Sequence, residues 1–158
     1  MQAVCKASKP PRAYVQRTFG IDGYNNRTEM AAALADIRLK RAYDPSSEED
    51  GARVLVDRLW PRGLTKDELH AMAWLRDLSP SNQLRKWFHA HPDQWAEFRR
   101  RYLLELKSPE TAKTLDQLHK LVQSHSTVTL LFASKQLERN NATVLKELVE
   151  RNLAARQP

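Results

Sequence analysis

Residues 53–63 read Arg53-Val54-Leu55-Val56-Asp57-Arg58-Leu59-Trp60-Pro61-Arg62-Gly63. The opening half is β-branched and apolar, the composition of a central strand. A strand is expected over Arg53–Trp60, and Pro61 ends it because proline has no N–H to give a ladder. A second run, Thr127-Val128-Thr129-Leu130-Leu131-Phe132-Ala133, is compact and apolar on both alternating faces. Such a strand is covered by helices on each side, as in a parallel sheet. These two stretches decide the fold, and the remaining segments arrange themselves around them.

Upstream, Ile37–Tyr43 alternates, with Ile37 and Leu39 on one side and Arg38 and Lys40 on the other. It reads as a strand near a sheet edge. Asp44–Gly51 is a turn in which Ser46 and Glu49 are spaced as a capping box. Downstream, Thr65 and Glu68 form a second capping box and open a short helix. Trp74–Asp77 fits neither period. Pro80 suits the first turn of a helix carrying Leu84, Trp87 and Phe88. Pro92 opens another, with Trp95, Phe98, Tyr102 and Leu106 on one stripe. Ser108-Pro109 repeats the cap-and-proline start, and Asn140 or Asn141 caps a last helix around Val144, Leu145, Leu148 and Val149. The order strand, strand, helices, strand, helix predicts an α/β domain. Its small, at least partly parallel β-sheet is covered by helices in a Rossmann-like three-layer arrangement. Residues 36–156 make this domain. Residues 1–35 mix Pro, Gly, Asn and basic residues without a sustained period, and are expected to form a mobile or loosely docked arm.

The 158 residues are 41% hydrophobic and 28% charged, ordinary for a globular protein, and four glycines exclude a collagen-like chain. The longest apolar runs are too short to cross a bilayer, so no membrane partner is expected. Cys5 is the lone cysteine, so no intramolecular disulfide and no cysteine-based zinc site can form, which suits a reducing cytoplasm. The net charge is +7, of which +3 falls on residues 1–35 and +4 on the rest. An anionic partner follows from that sign, but +4 is an ordinary surface for a domain of this size.

Ligands of open α/β sheets bind outside the carboxyl ends of the strands. Three groups of residues follow those ends. The middle strand supplies Asp57, Arg58, Trp60 and Arg62. The late strand supplies Ser134, Lys135, Asn140 and Asn141. Tyr43 and Asp44 follow the first. Guanidinium groups hold a phosphate or carboxylate bidentately, a helix start adds N–H donors, and Trp60 offers a flat wall for a base or a cation, so the expected ligand is a nucleotide, another phosphorylated metabolite or a carboxylate metabolite. On this reading Asp57 orients the arginines. Each residue also has a plainer role: Asp57 and Arg58 pin their loop, Trp60 packs in the core, and Asn140 and Asn141 cap a helix.

Other motifs carry less. His89-x-His91 lacks a third ligand, so no metal is expected. The phosphate-loop and dinucleotide glycine patterns are absent, and no cofactor is expected. Ser134 has no nucleophile-elbow glycines around it. Arg85, Lys86 and Arg99-Arg100-Arg101 form the alternative, a nucleic-acid surface, although Arg100 and Arg101 also suit the solvated face of a helix.

Val54-Leu55-Val56-Asp57-Arg58-Leu59-Trp60-Pro61-Arg62-Gly63 resembles the signature of the YeaO-like proteins, a DUF488-type bacterial family without an assigned activity. Leu84–His89, Trp95–Arg99 with Tyr102, Leu130–Lys135, and Asn140-Asn141-Ala142 with Val144-Leu145 extend the resemblance from about Ile37 to about Glu150. It implies a small α/β domain in a bacterial cytoplasm. Many relatives have His where Asn141 stands, so the resemblance transfers no catalytic histidine to that position.

Overall fold

The computed structural model describes residues 35–156; the expected arm therefore lies, Ala35 apart, outside the described residues. Four strands form one sheet in the order β1-β4-β2-β3, with β1 at Asp36–Arg41, β2 at Ala52–Leu55, β3 at Ala73–Trp74 and β4 at Thr127–Phe132. Every pairing is parallel, with Asp36 opposite Thr127, Ala52 opposite Val128 and Val54 opposite Ala73. The α/β expectation holds, and β1 occupies the edge. Five helices accompany the sheet: α1 (Lys66–Leu69), α2 (Asn82–Ala90), α3 (Trp95–Glu105), α4 (Pro109–Ser124) and α5 (Asn141–Ala155). None of them is long and apolar enough to cross a membrane.

The strand order dictates which face each connection takes. The β1→β2 and β2→β3 crossovers advance toward the same edge, and β3→β4 returns. Parallel crossovers are right-handed, so the first two share one face and the return takes the other. Packing follows this division. Ile37, Val54, Val128, Leu130 and Phe132 meet Leu84 of α2, Phe98 and Tyr102 of α3, Leu118 and Val122 of α4, and Val144, Leu145 and Val149 of α5. On the opposite face Leu55 and Leu131 meet Leu69 of α1, with Trp60, Leu64 and Ala71 beside them. Alternate residues of one strand thus serve two cores, as a period of two requires. The layers are unequal: four long helices cover one face and a single helical turn with its loops covers the other.

On that thin face the strands carry polar residues, and Lys40, Arg53 and Thr129 bond to the turn at Asp50. Asp50 ends a 3₁₀ turn at Glu48–Asp50. Its carboxylate accepts from Lys40 Nζ at 2.9 Å, from Ser47 N and Oγ at 3.1 Å, and from Arg53 Nη1. Arg53 Nε donates to Leu69 O at 3.0 Å and Thr129 Oγ1 to Asp50 O at 2.7 Å. Burial by itself would push the Asp50 carboxyl up; the Lys40 ammonium, Ser47 and Arg53 outweigh it and hold it well below the carboxylate range. The capping box is Ser47 with Asp50, one residue beyond the expected Ser46 and Glu49. Gly51 follows with φ +60°, and a Cβ there would lie 2.3 Å from Thr127 O, so the close approach of this turn to β4 requires glycine.

β2 is shorter than the expected Arg53–Trp60. Its ladder ends at Leu55, and Val56 N makes a last bond to Leu131 O at 3.2 Å before the chain turns away. The remainder, Asp57–Trp60, is loop. β3 occupies part of the segment that fits neither period, and exists because Met72 N and Leu75 N reach Arg53 O and Leu55 O. Pro80 precedes the N-cap of α2 instead of standing in its first turn: Ser81 Oγ accepts from Leu84 N at 3.1 Å. Thr65, Ser108 and Asn140 cap α1, α4 and α5.

Candidate functional site

The chain leaves β2 toward the thin face and α1, and leaves the neighbouring β4 toward the thick face and α5. Where loops from adjacent parallel strands part in this way, a crevice opens at their carboxyl ends. A cavity of about 530 Å³ lies there. The β2 loop contributes Asp57, Arg58, Leu59, Trp60, Pro61 and Arg62 to it. Ser134, Gln136 and Arg139 come from the β4 loop, followed by Asn140 and Asn141 at the start of α5. The third wall is α2, through Arg85, Phe88 and His89.

Each wall is held from behind. Asp57 is the seam between β2, β4 and α5: its Oδ2 accepts from Ala133 N at 2.7 Å and its Oδ1 from Asn141 Nδ2 at 3.1 Å. The same Asn141 amide donates to Val56 O at 3.0 Å. Burial pushes the Asp57 carboxyl up, and the Ala133 N–H, the Asn141 amide and the charge of Arg85 offset that only in part. Trp60 Nε1 donates to Leu64 O at 2.6 Å, and its ring meets Trp74 nearly edge-on at 5.4 Å. Trp74 Nε1 donates to Asp57 O at 2.8 Å, and Tyr43 OH to Arg62 O at 3.2 Å. On the α2 side, Ser81 N and Oγ bond the Glu105 carboxylate at 2.8 and 2.6 Å, and Phe88 stacks on Phe98 at 4.4 Å. The helix that presents Arg85 is thereby fixed to α3.

The guanidinium groups of Arg58, Arg62 and Arg139 have no hydrogen-bond or ion-pair partner among the described residues, and Arg58 Nε is also buried. Among the described residues Arg85 has only the Asn82 amide oxygen, at 3.3 Å. A buried donor without a partner forfeits its hydration.

The family model described as the Inactive DUF488-N3 subclade matches residues 36–158. The chain belongs to this subclade. Two curated relatives support the assignment. The uncharacterized protein YeaO of Escherichia coli (strain K12) is 42% identical over 113 residues, which cover 71% of this chain and 95% of YeaO. The uncharacterized protein Rv3073c of Mycobacterium tuberculosis (strain ATCC 25618 / H37Rv) is 39% identical over 113 residues, covering 72% of this chain and 92% of the relative. The YeaO-like resemblance is therefore established. No solved structure matches the chain at a significant level.

Within this subclade member, seven of the residues expected at the site line the cavity: Asp57, Arg58, Trp60, Arg62, Ser134, Asn140 and Asn141. Lys135 does not. Asp57 does not bond the arginines it was expected to orient; its carboxylate fastens Ala133 and Asn141 instead. Asn140 is a cap: its Oδ1 accepts from Thr143 N at 3.0 Å and its Nδ2 donates to Gln136 O and Leu137 O. Ser134 Oγ accepts from Gln136 N at 3.1 Å, a turn contact. Sequence reasoning missed Arg139 and His89 as lining residues and assigned Arg85 to a different surface. The one local signal for the α2 wall was the spacing of Arg85, Phe88 and His89, which share a helix face.

The alternative basic surface is bonded within itself. Arg99 Nε donates to Glu147 at 2.9 Å, Arg100 Nε to Glu97 at 2.8 Å and Arg101 Nε to Glu97 at 2.7 Å. Arg101 also lies over the Trp87 ring at 4.1 Å.

Proposed function

We propose that the cavity between the β2 and β4 loops binds an anionic small molecule, a phosphorylated metabolite or a carboxylate, and that the protein acts through this binding. The observation that carries the reading is the set of unpartnered guanidinium groups of Arg58, Arg62 and Arg139 on the walls of one cavity. Arg58 and Arg62 grip the anion in the manner of bidentate guanidinium sites, and Arg139 closes from the β4 side. Asn141 and Asp57 hold the two loops in register, and Trp60 is a wall. The description of the subclade as inactive fits a site that binds without turnover. The same reading puts the protein's work in the cytoplasm, where phosphorylated metabolites are kept.

Calorimetric titration with inorganic phosphate, pyrophosphate and citrate tests this. At least one of the three binds the intact protein, and Arg62→Ala weakens that binding at least tenfold while leaving Tm within a few degrees. Failure of all three to bind overturns the proposal. A duplex-DNA gel shift that persists in Arg62→Ala and weakens steeply with salt would transfer the function to the nucleic-acid surface.

A further inference from the structure

We infer that the occupant of the cavity is a nucleoside diphosphate or triphosphate, with its phosphates on the arginines and its base against the aromatic wall. This rests on the anion-site reading above and narrows it.

Charge comes first. Four guanidinium groups line the cavity, against one carboxylate, and that carboxylate already accepts two hydrogen bonds from the protein. A single carboxylate ligand pairs with one guanidinium fork; two or three phosphates supply enough oxygens and charge for the three that lack partners. Size comes second. A volume of about 530 Å³ is that of a site for an organic ligand, and pyrophosphate would leave much of it empty.

The walls then choose the organic part. Trp60 is immobilised by its bond to Leu64 O and by the edge contact with Trp74. Tyr43 is held through its hydroxyl to the backbone of Arg62 and keeps 43% of its surface exposed. Both aromatic rings are thus tied to the segment that carries the anion-binding arginines, which suits a ligand whose charged and flat parts are joined by a short link. Asn141 adds polarity of the complementary sign. Its amide N–H groups are spent on Val56 O and Asp57 Oδ1, while its Oδ1 has no donor among the described residues. An acceptor so placed takes a sugar hydroxyl or an exocyclic amine, groups that inorganic polyphosphate lacks.

The test is a calorimetric and fluorescence titration of the intact protein with pyrophosphate, adenosine, and ADP, GDP, CDP and UDP. At least one nucleoside diphosphate binds tenfold or more tighter than pyrophosphate, and adenosine binds at least tenfold more weakly than ADP. The best diphosphate quenches tryptophan fluorescence; pyrophosphate does not. The quench is lost in Trp60→Phe, which keeps Trp74, Trp87 and Trp95. If pyrophosphate binds and no nucleoside diphosphate exceeds it, the nucleoside part is overturned and the anion site stands. If adenosine equals ADP, the polyphosphate part is overturned. If neither pyrophosphate nor any nucleotide binds, the present inference falls, and the anion site then depends on phosphate or citrate alone.

Discussion

Arg53 and Arg58 flank the end of the same strand, and their guanidinium groups meet different fates. Arg53, on the thin face of β2, is 4% exposed; its Nη1 reaches Asp50 and its Nε reaches Leu69 O, with only Nη2 left over. Arg58, just past the carboxyl end, has no partner at all among the described residues. The turn that leads into β2 pairs its charges within itself, and the loop that leaves β2 leaves the Arg58 guanidinium unpaired among the described residues. A third group, Arg99 to Arg101 on α3, pairs with Glu147 and Glu97 at the surface. One residue type thus stands in three settings within one small domain, buried and paired, unpartnered beside a cavity, and paired at the surface, and bonding partners distinguish the three where charge alone does not.

That contrast can be broken most sharply at Arg53. Arg53→Ala strips a buried carboxylate of a main partner, and a loss of about 3–5 kcal/mol in urea denaturation is expected. A loss under about 1 kcal/mol would mean the cluster is not structural. Next comes Arg58→Ala. The loss of a charge-assisted hydrogen bond, about 1.5–3 kcal/mol, is expected in the binding of pyrophosphate or the best nucleotide by calorimetry. Tm stays within a few degrees, because no protein bond is broken. An unfolded Arg58→Ala would make this arginine another Arg53.

Acid sharpens the difference between the two aspartates. The folded pKa of Asp50 lies below its unfolded value, so its contribution is complete above about pH 4 and is lost as the pH falls through the carboxylate range. Asp57 has the opposite sign: burial holds its pKa above the unfolded value, so its ionisation weighs against the fold as the pH rises through that range. Denaturation midpoints between about pH 3 and pH 6 should therefore fall less on acidification in Asp50→Asn than in the parent protein. In Asp57→Asn they should fall more. The smallest effect belongs to Arg100→Ala: an exposed pair is screened by water and adds little to stability, so the denaturation midpoint should hardly move and calorimetry should show ligand binding unchanged. Loss of binding there would move the site onto α3.

Much of the fold was legible because its signals are local. Thr65 with Glu68, Ser108 with Pro109, and Asn140 are start signals that lie within one turn, and each stands where a helix begins; the Thr65 and Asn140 side chains make the cap bond, and at Ser108 the following proline sets the start. The stripe Trp95, Phe98, Tyr102 and Leu106 states a buried face in its own spacing, and α3 buries Phe98 and Tyr102. β3 was illegible because two residues carry no period; the strand is made by the β2 carbonyls that its neighbours Met72 and Leu75 reach. The site was legible in halves. The β2 and β4 loops follow strands in the sequence, so the rule for carboxyl ends found them. The α2 wall did not follow a strand, and α2 brought Arg85 to the cavity through contacts of Ser81 with Glu105 and of Phe88 with Phe98 that are distant along the chain.

The order of elements, an at least partly parallel sheet and a cluster of cations after β2 were written in the chain itself, since each is read from residues a few positions apart. Which cations stay unpaired was a matter for three dimensions. A guanidinium is satisfied or left open according to what other parts of the chain bring within about 3 Å of it, and only the folded chain brings Glu147 to Arg99 while, among the described residues, bringing nothing to Arg58.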